Sequence, residues 1–300
     1  MKTPVEEIKD DFLIQNDVRL FLKRDDLIHP EMSGNKFRKL KYNLVRARQE
    51  DHDTLLTFGG AYSNHIYAVA AAGALQGFNT IGIIRGEEYN PLNPTLEFAA
   101  SRGMKLHYIS RKDYKQKNDI SFLKDLEETY GRFYLIPEGG SNAEALRGCG
   151  EMISELDPEM DVIALSCGTG GTMAGVLAGL DGNKYVIGFP ALKHGYFLKK
   201  DISDMIRSFY DRIYLNWHLE TGYHFGGYAR YSMELVHFIN EFKRNSGIPL
   251  DPVYTGKMMF GLFDLIKKGA FGRGKKILAI HTGGLQGIKG FNERFGNLIG

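Results

Sequence analysis

Only two cysteines, Cys149 and Cys167, occur in the 300 residues. They are too few for a multi-bridge disulfide framework, and neither sits in a C-x-x-C pair that would suggest zinc or redox work. This usage fits a reducing compartment. No apolar run approaches the roughly 20 residues of a membrane-spanning helix; the longest, Ile66 to Leu75, falls far short. The start, with Glu6, Glu7, Asp10 and Asp11, carries no apolar stretch of the signal-peptide kind. A cytoplasmic chain with no membrane partner is therefore expected. Charge of one sign is also missing. Lys plus Arg number 38 and Asp plus Glu 36, a net +2, too balanced to drive counterion release from nucleic acid. With 43% hydrophobic and 25% charged residues, disordered and collagen-like classes are excluded. The length suggests about two domains.

Glycine is the residue in excess, at 36 of 300 against an average near 7%. Five short β-rich runs end in it: Thr54 to Phe58, Thr80 to Ile84, Phe133 to Ile136, Val162 to Leu165 and Ile277 to Ile280. Helical patterns follow several of them, at Asn64 to Leu75, Ala143 to Leu156 and Thr172 to Leu180. This strand-turn-helix rhythm predicts an α/β fold with parallel sheet. Ligands in such sheets bind beyond the carboxyl ends of the strands, so the glycine turns converge on one candidate site; tight turning alone is the plainer reading of any single pair. A basic run, Lys36, Arg38, Lys39, Lys41, Arg46 and Arg48, falls on a predicted helix with Phe37, Leu40, Leu44 and Val45 at helical spacing. It reads by default as a solvated face.

The segment Cys167 to Thr172 fails the dinucleotide fingerprint because Met173 occupies the third glycine position. Its physics still suits a phosphate. Gly168, Gly170 and Gly171 leave N–H groups unobstructed, Thr169 and Thr172 add hydroxyls, and a helix opens there. Gly269 to Lys275 matches G-x-x-x-x-G-K, but Lys276 stands where Ser or Thr is required and the motif precedes a strand, which rejects an ATPase. The nine histidines show no metal-ligand spacing, and no metal is expected. Ser63 is outside G-x-S-x-G, and His65, two residues on, faces elsewhere on a helix. Ser63-Asn64-His65 reads as a capped helix start, with anion binding a second possibility. Lys36 follows the turn Ser33-Gly34-Asn35 at a helix start, where the positive helix end discourages protonation. A neutral lysine can form a Schiff base with a carbonyl, and a phosphate cradle would suit pyridoxal 5′-phosphate. Spacing alone favours a solvated surface lysine.

Several segments together resemble the fold-type-II pyridoxal-phosphate enzymes of the 1-aminocyclopropane-1-carboxylate deaminase and D-cysteine desulfhydrase family, tryptophan synthase beta-like. The landmarks are Lys23-Arg24-Asp25-Asp26, Ser33 to Leu40, Ser63-Asn64-His65, Glu138-Gly139-Gly140-Ser141-Asn142, Gly168 to Thr172, Asp251 to Lys257 and His281-Thr282-Gly283-Gly284. The resemblance implies two open α/β domains, residues 1–39 plus 151–300 forming the large one and 40–150 the small one, with the cofactor in the cleft between. It implies that Lys36 holds pyridoxal phosphate as a Schiff base, that Gly168, Thr169, Gly170, Gly171 and Thr172 hold its phosphate, and that Asn64, Tyr254, Thr255 and Thr282 surround its ring. Ser63, Asn64 and His65 would meet the substrate, while Lys36, Ser63, Tyr254 and Tyr228 would carry the catalysis.

Thr255 discriminates within the family. The ring-opening deaminases carry glutamate beside this tyrosine, and the desulfhydrase-like members threonine. The resemblance therefore implies α,β-elimination from a small D-amino acid, giving pyruvate, ammonia and, from D-cysteine, sulfide. Cyclopropane deamination, D-serine dehydration and non-catalytic cofactor binding are the alternatives. Two features depart from the family pattern: Tyr62 replaces glutamine, and the 189–217 region matches poorly. A homodimer taking a small amino-acid substrate is expected.

Overall fold

The structure, a computed structural model, describes residues 2–88, 90–156 and 159–300. Its strands, in chain order, are β1 (Val5–Ile8), β2 (Val18–Lys23), β3 (Thr54–Gly60), β4 (Asn79–Arg85), β5 (Met104–Ile109), β6 (Tyr134–Ile136), β7 (Val162–Cys167), β8 (Tyr185–Pro190), β9 (Trp217–Leu219) and β10 (Lys275–Ile280). Helices α1 (Asp11–Gln15), α2 (Asn35–Gln49), α3 (Asn64–Gln76), α4 (Pro94–Ser101), α5 (Ile120–Tyr130) and α6 (Ala143–Gly150) lie in the first half. Those of the second half are α7 (Gly171–Leu180), α8 (Leu198–Tyr210), α9 (Met233–Ser246), α10 (Thr255–Lys267) and α11 (Gly287–Phe295).

Two sheets result. One has the order β5-β4-β3-β6 and is wholly parallel. The other runs β1-β2-β10-β7-β8-β9, parallel except where β1 pairs antiparallel with β2. Parallel strands covered by helices on both faces must be apolar throughout, and all six residues of β7 are buried. Alternation then sends neighbours to opposite cores. On the larger sheet Ala164 and Ile277 join Leu235, Met258 and Leu262 of α9 and α10. Leu165 and Leu278 point the other way, to Val176 and Ile202 of α7 and α8. Each fully buried aliphatic side chain contributes about 1.5–3 kcal/mol.

Close helix contacts bring α2 and α7 together through α6. A Cβ on Gly148 would lie 2.0 Å from the Arg38 carbonyl oxygen, and one on Gly175 2.5 Å from that of Leu146. Only glycine lets these backbones approach so closely.

Two expectations are corrected. The helix read over Ala143 to Leu156 ends at Gly150 and continues as a 3₁₀ turn, Glu151–Glu155; Gly148 and Gly150 weaken it, and the turn aims Glu155 inward at Arg38 and Lys23. The basic helix is not a solvated face throughout. Arg38 and Lys39 are 4% and 1% exposed, because Arg38 pairs with Asp25 and Glu155 and Lys39 donates to the Gly139 carbonyl, 2.8 Å away. Among the described residues, no helix is long and apolar enough to cross a membrane.

Candidate active site

The carboxyl ends of the strands present the candidate residues. Beyond β10, the Thr282 carbonyl accepts a hydrogen bond from the Asn35 N–H at 3.2 Å and so fixes the start of α2. Gly34 precedes that start with φ +64°, and a Cβ there would fall 2.0 Å from the Thr282 oxygen. Lys36, the second residue of α2, is therefore delivered on a backbone that only glycine permits. Among the described residues, no hydrogen bond or ion pair engages its amine. Burial, and after it the charge of Lys39, lowers the Lys36 pKa to about 7. The depression expected from the sequence is present, but its leading cause is desolvation and a like charge three residues on.

Between β7 and α7, Gly168 to Gly170 forms the turn, and Gly171 and Thr172 open α7. A Cβ on Gly168 would meet the Tyr254 ring at 3.3 Å; one on Gly171 would lie 2.6 Å from Ser141 Oγ and 3.1 Å from Lys39 Nζ. Thr169 and Ser141 share a hydroxyl hydrogen bond of 2.7 Å, and Asn35 Nδ2 donates to Thr172 Oγ1 at 2.8 Å. A buried ammonium, hydroxyls and the N-terminus of α7 thus meet in one cradle, which is anion-binding chemistry. Lys39 is a site residue that the sequence reading misses, although its three-residue spacing from Lys36 puts both on one helix face.

Ser63 caps α3, its Oγ accepting from the His65 and Ile66 N–H groups at 3.2 and 3.3 Å. Asn64 turns to the β10 side, where Gln286 Nε2 donates to its Oδ1 at 2.9 Å and a Gly284 Cβ would lie 2.8 Å from its Nδ2. His65 separates from these two. It is 2% exposed, with Nε2 2.9 Å from Thr57 Oγ1. Because that hydroxyl already donates to the Ile136 carbonyl, His65 Nε2 must carry the proton. Burial, with Lys36 and Lys39 nearby, holds its pKa well below the usual value.

Tyr254 and Tyr228 meet edge to face, centroids 6.1 Å apart at 70°. Burial first, then Tyr228 and Asp251, hold the Tyr254 phenol well above its usual pKa. Thr255 is fully buried and its hydroxyl donates to Asp251 Oδ1 at 2.7 Å. Asp251 is the organiser of this turn. Its carboxylate also accepts from the N–H groups of Val253, Tyr254 and Thr255 at 2.8, 2.9 and 2.8 Å, a side-chain cap at positions two to four onward that the sequence shows once the helix start is known. Thr282 is buried beside Ser166, hydroxyls 3.1 Å apart. Contacts thus link the 168–172 segment to Asn35 and Lys39 beside Lys36 and to Tyr254, Tyr254 to Tyr228, and Asn64 and the start of α2 to the segment after β10, while His65 and Thr255 are turned into the protein.

Residues 2–283 match the family described as pyridoxal-phosphate dependent enzyme. A putative 1-aminocyclopropane-1-carboxylate deaminase of Pyrococcus abyssi is 32% identical over 94% of this chain and 89% of its own length. The bifunctional D-cysteine desulfhydrase/1-aminocyclopropane-1-carboxylate deaminase, mitochondrial, of Arabidopsis thaliana is 31% identical over 96% of this chain and 77% of its length. Among solved structures, an ACC deaminase homologue superposes with TM-score 0.86 and 27% identity over 100% of this chain and 94% of that one.

Proposed function

The chain belongs to the pyridoxal-phosphate-dependent enzyme family, within its 1-aminocyclopropane-1-carboxylate deaminase and D-cysteine desulfhydrase branch, and we propose that it eliminates the β-substituent of a small D-amino acid, D-cysteine foremost. The residues present fit the cofactor. An unpartnered amine of lowered pKa, Lys36, would hold it covalently, the cradle of Gly168 to Thr172 with Lys39 its phosphate, and Asn64 and Tyr254 its ring. When bound, pyridoxal phosphate supplies the sink for electrons left at the substrate Cα.

The chain's own groups supply the protons. Lys36 Nζ, once the incoming substrate amine has displaced it from the cofactor, would accept the α-proton, its free amine having a lowered pKa of about 7. The Tyr254 hydroxyl, kept protonated by its raised pKa, donates toward the leaving sulfur. Tyr228 supports it edge to face. For D-cysteine plus water the products are pyruvate, ammonia and hydrogen sulfide.

One observation carries the choice of elimination over ring opening. The residue after Tyr254 is Thr255, and the nearby Asp251 carboxylate is saturated by three backbone donors and the Thr255 hydroxyl. This turn therefore offers no free carboxylate to deepen the electron sink. Loss of a thiolate, a good leaving group, tolerates a weaker sink than breaking a carbon–carbon bond. The test incubates the purified holoenzyme with D-cysteine, D-serine and 1-aminocyclopropane-1-carboxylate and measures sulfide, pyruvate and 2-oxobutanoate. Sulfide with equimolar pyruvate is expected. 2-Oxobutanoate as the dominant product would assign ring opening instead, and a visible cofactor band with no keto acid from any substrate would make the protein a binder.

A further inference from the structure

Between the 3₁₀ turn Thr221–Tyr223 and α9 the backbone enters the left-handed region four times, at Phe225 (φ 51°), Gly226 (91°), Gly227 (122°) and Ala229 (53°). Phenylalanine and alanine rarely adopt it, and such conformations persist only where surrounding contacts impose them. Tyr228, a partly exposed residue, is embedded in this run, its ring set edge to face on Tyr254.

The imposing contact comes from α10. Lys257, 2% exposed, donates from Nζ to the carbonyls of His224 at 2.9 Å and Gly227 at 2.8 Å. Among the described residues, no carboxylate forms an ion pair with it. Burial, offset in part by Asp251, lowers its pKa to about 8. An ammonium buried on carbonyls alone is a poor stabiliser, so its value lies in what it holds. Lys257 also stands three residues after Tyr254, the N-cap residue of α10, so the start of one helix bears on both phenols. Phe225 adds an edge-to-face contact with Phe260, one turn further on, at 5.0 Å.

We propose that Lys257 is a positioning residue for catalysis: by tethering the carbonyls of His224 and Gly227 to α10, it sets Tyr228 against Tyr254. The inference rests on the reading that the Tyr254 phenol handles a proton of the reaction. Lys257 itself touches neither substrate nor cofactor.

The test compares wild type with Lys257→Met, Lys257→Arg and Tyr228→Phe, by amide hydrogen exchange of residues 224–230 and by steady-state keto-acid release from D-cysteine. In Lys257→Met, exchange of that segment rises at least about tenfold, the scale of hydrogen bonds to a charged group, while the sheets exchange as in wild type. The visible cofactor band is retained because Lys36 is intact. Turnover, kcat, falls at least about tenfold with KM within about threefold, and adding Tyr228→Phe to Lys257→Met lowers it no further, since the two act as a unit. Lys257→Arg, which keeps donors, recovers part of kcat. If Lys257→Met proves unfolded, Lys257→Arg carries the same exchange measurement, with a smaller rise expected. Unchanged exchange at 224–230 overturns the proposal, as does a lower melting temperature with unaltered kcat. Loosened exchange in a protein that processes no amino acid would sink the proposed reaction and leave the tether standing.

Discussion

Lys36 is legible as a candidate from its turn and helix start, yet the reason its amine is reactive is not local. Desolvation leads and the Lys39 charge follows, and both depend on what α2 packs against. The sign of the consequence is fixed. A lysine brought from 10.5 to about 7 is neutral from about pH 7 upward, so in cofactor-free protein Lys36 should react with added pyridoxal phosphate at a rate climbing about tenfold per pH unit below 7 and level above it. Stopped-flow absorbance from pH 5 to 10 checks this. A rate still climbing at pH 10 would mean an ordinary lysine. Lys36→Ala should lose at least about 10⁴-fold in turnover, the upper end of general acid–base assistance, while its unfolding curve shows the fold intact. The same neighbourhood explains His65. Its sequence position beside Ser63 and Asn64 cannot reveal that Thr57, eight residues earlier, takes its ring inward.

At the scale of elements, the five glycine-terminated runs correspond to β3, β4, β6, β7 and β10, because glycine marks where the chain must turn sharply off a strand. β1, β2, β5, β8 and β9 lack that punctuation. β8 ends on Pro190 and β2 on the charged Lys23-Arg24-Asp25-Asp26, so their strand character rests on sheet neighbours that the sequence does not display. The left-handed run at 225–229 is equally silent, since only two of its residues are glycine. Gly34 is the position where an element's geometry and the chemistry coincide. Gly34→Ala would force a Cβ to 2.0 Å from the Thr282 oxygen at φ +64°, displacing the start of α2 from β10. A loss of at least about 2 kcal/mol in urea unfolding is expected, together with slower capture of pyridoxal phosphate by Lys36. An unchanged capture rate would show that the Gly34–Thr282 contact does not place the amine.

Over the whole molecule, the least readable feature is a buried ionic network that ties the chain's start to α2 and to the segment after α6. Arg38 grips Asp25 through two hydrogen bonds of 2.9 Å and Glu155 at 2.6 Å. Lys23 reaches Glu155 at 2.6 Å, and Thr3 Oγ1 donates to Asp25 at 2.6 Å. Arg38 lies 13 residues from Asp25 and 117 from Glu155, which is why a basic helix looks solvated in sequence. The Asp25 carbonyl also receives the Gly34 N–H at 3.0 Å, so the network backs the turn that delivers Lys36. Burial alone would raise the Glu155 carboxyl; hydrogen bonds and charge from Arg38 and Lys23 more than reverse this and hold it at about 2. A folded-state pKa depressed below the ordinary 4.5 gives stability that is complete above about pH 4.5 and lost as pH falls toward 2. Urea unfolding from pH 6 to 2 should show that decline, and Glu155→Gln should be less stable at pH 6 yet flatter across the acid range. Asp25→Asn, which leaves Arg38 and Lys23 short of a buried carboxylate, should cost about 3–5 kcal/mol at neutral pH. Equal acid slopes in wild type and Glu155→Gln would place the acid sensitivity in other carboxylates.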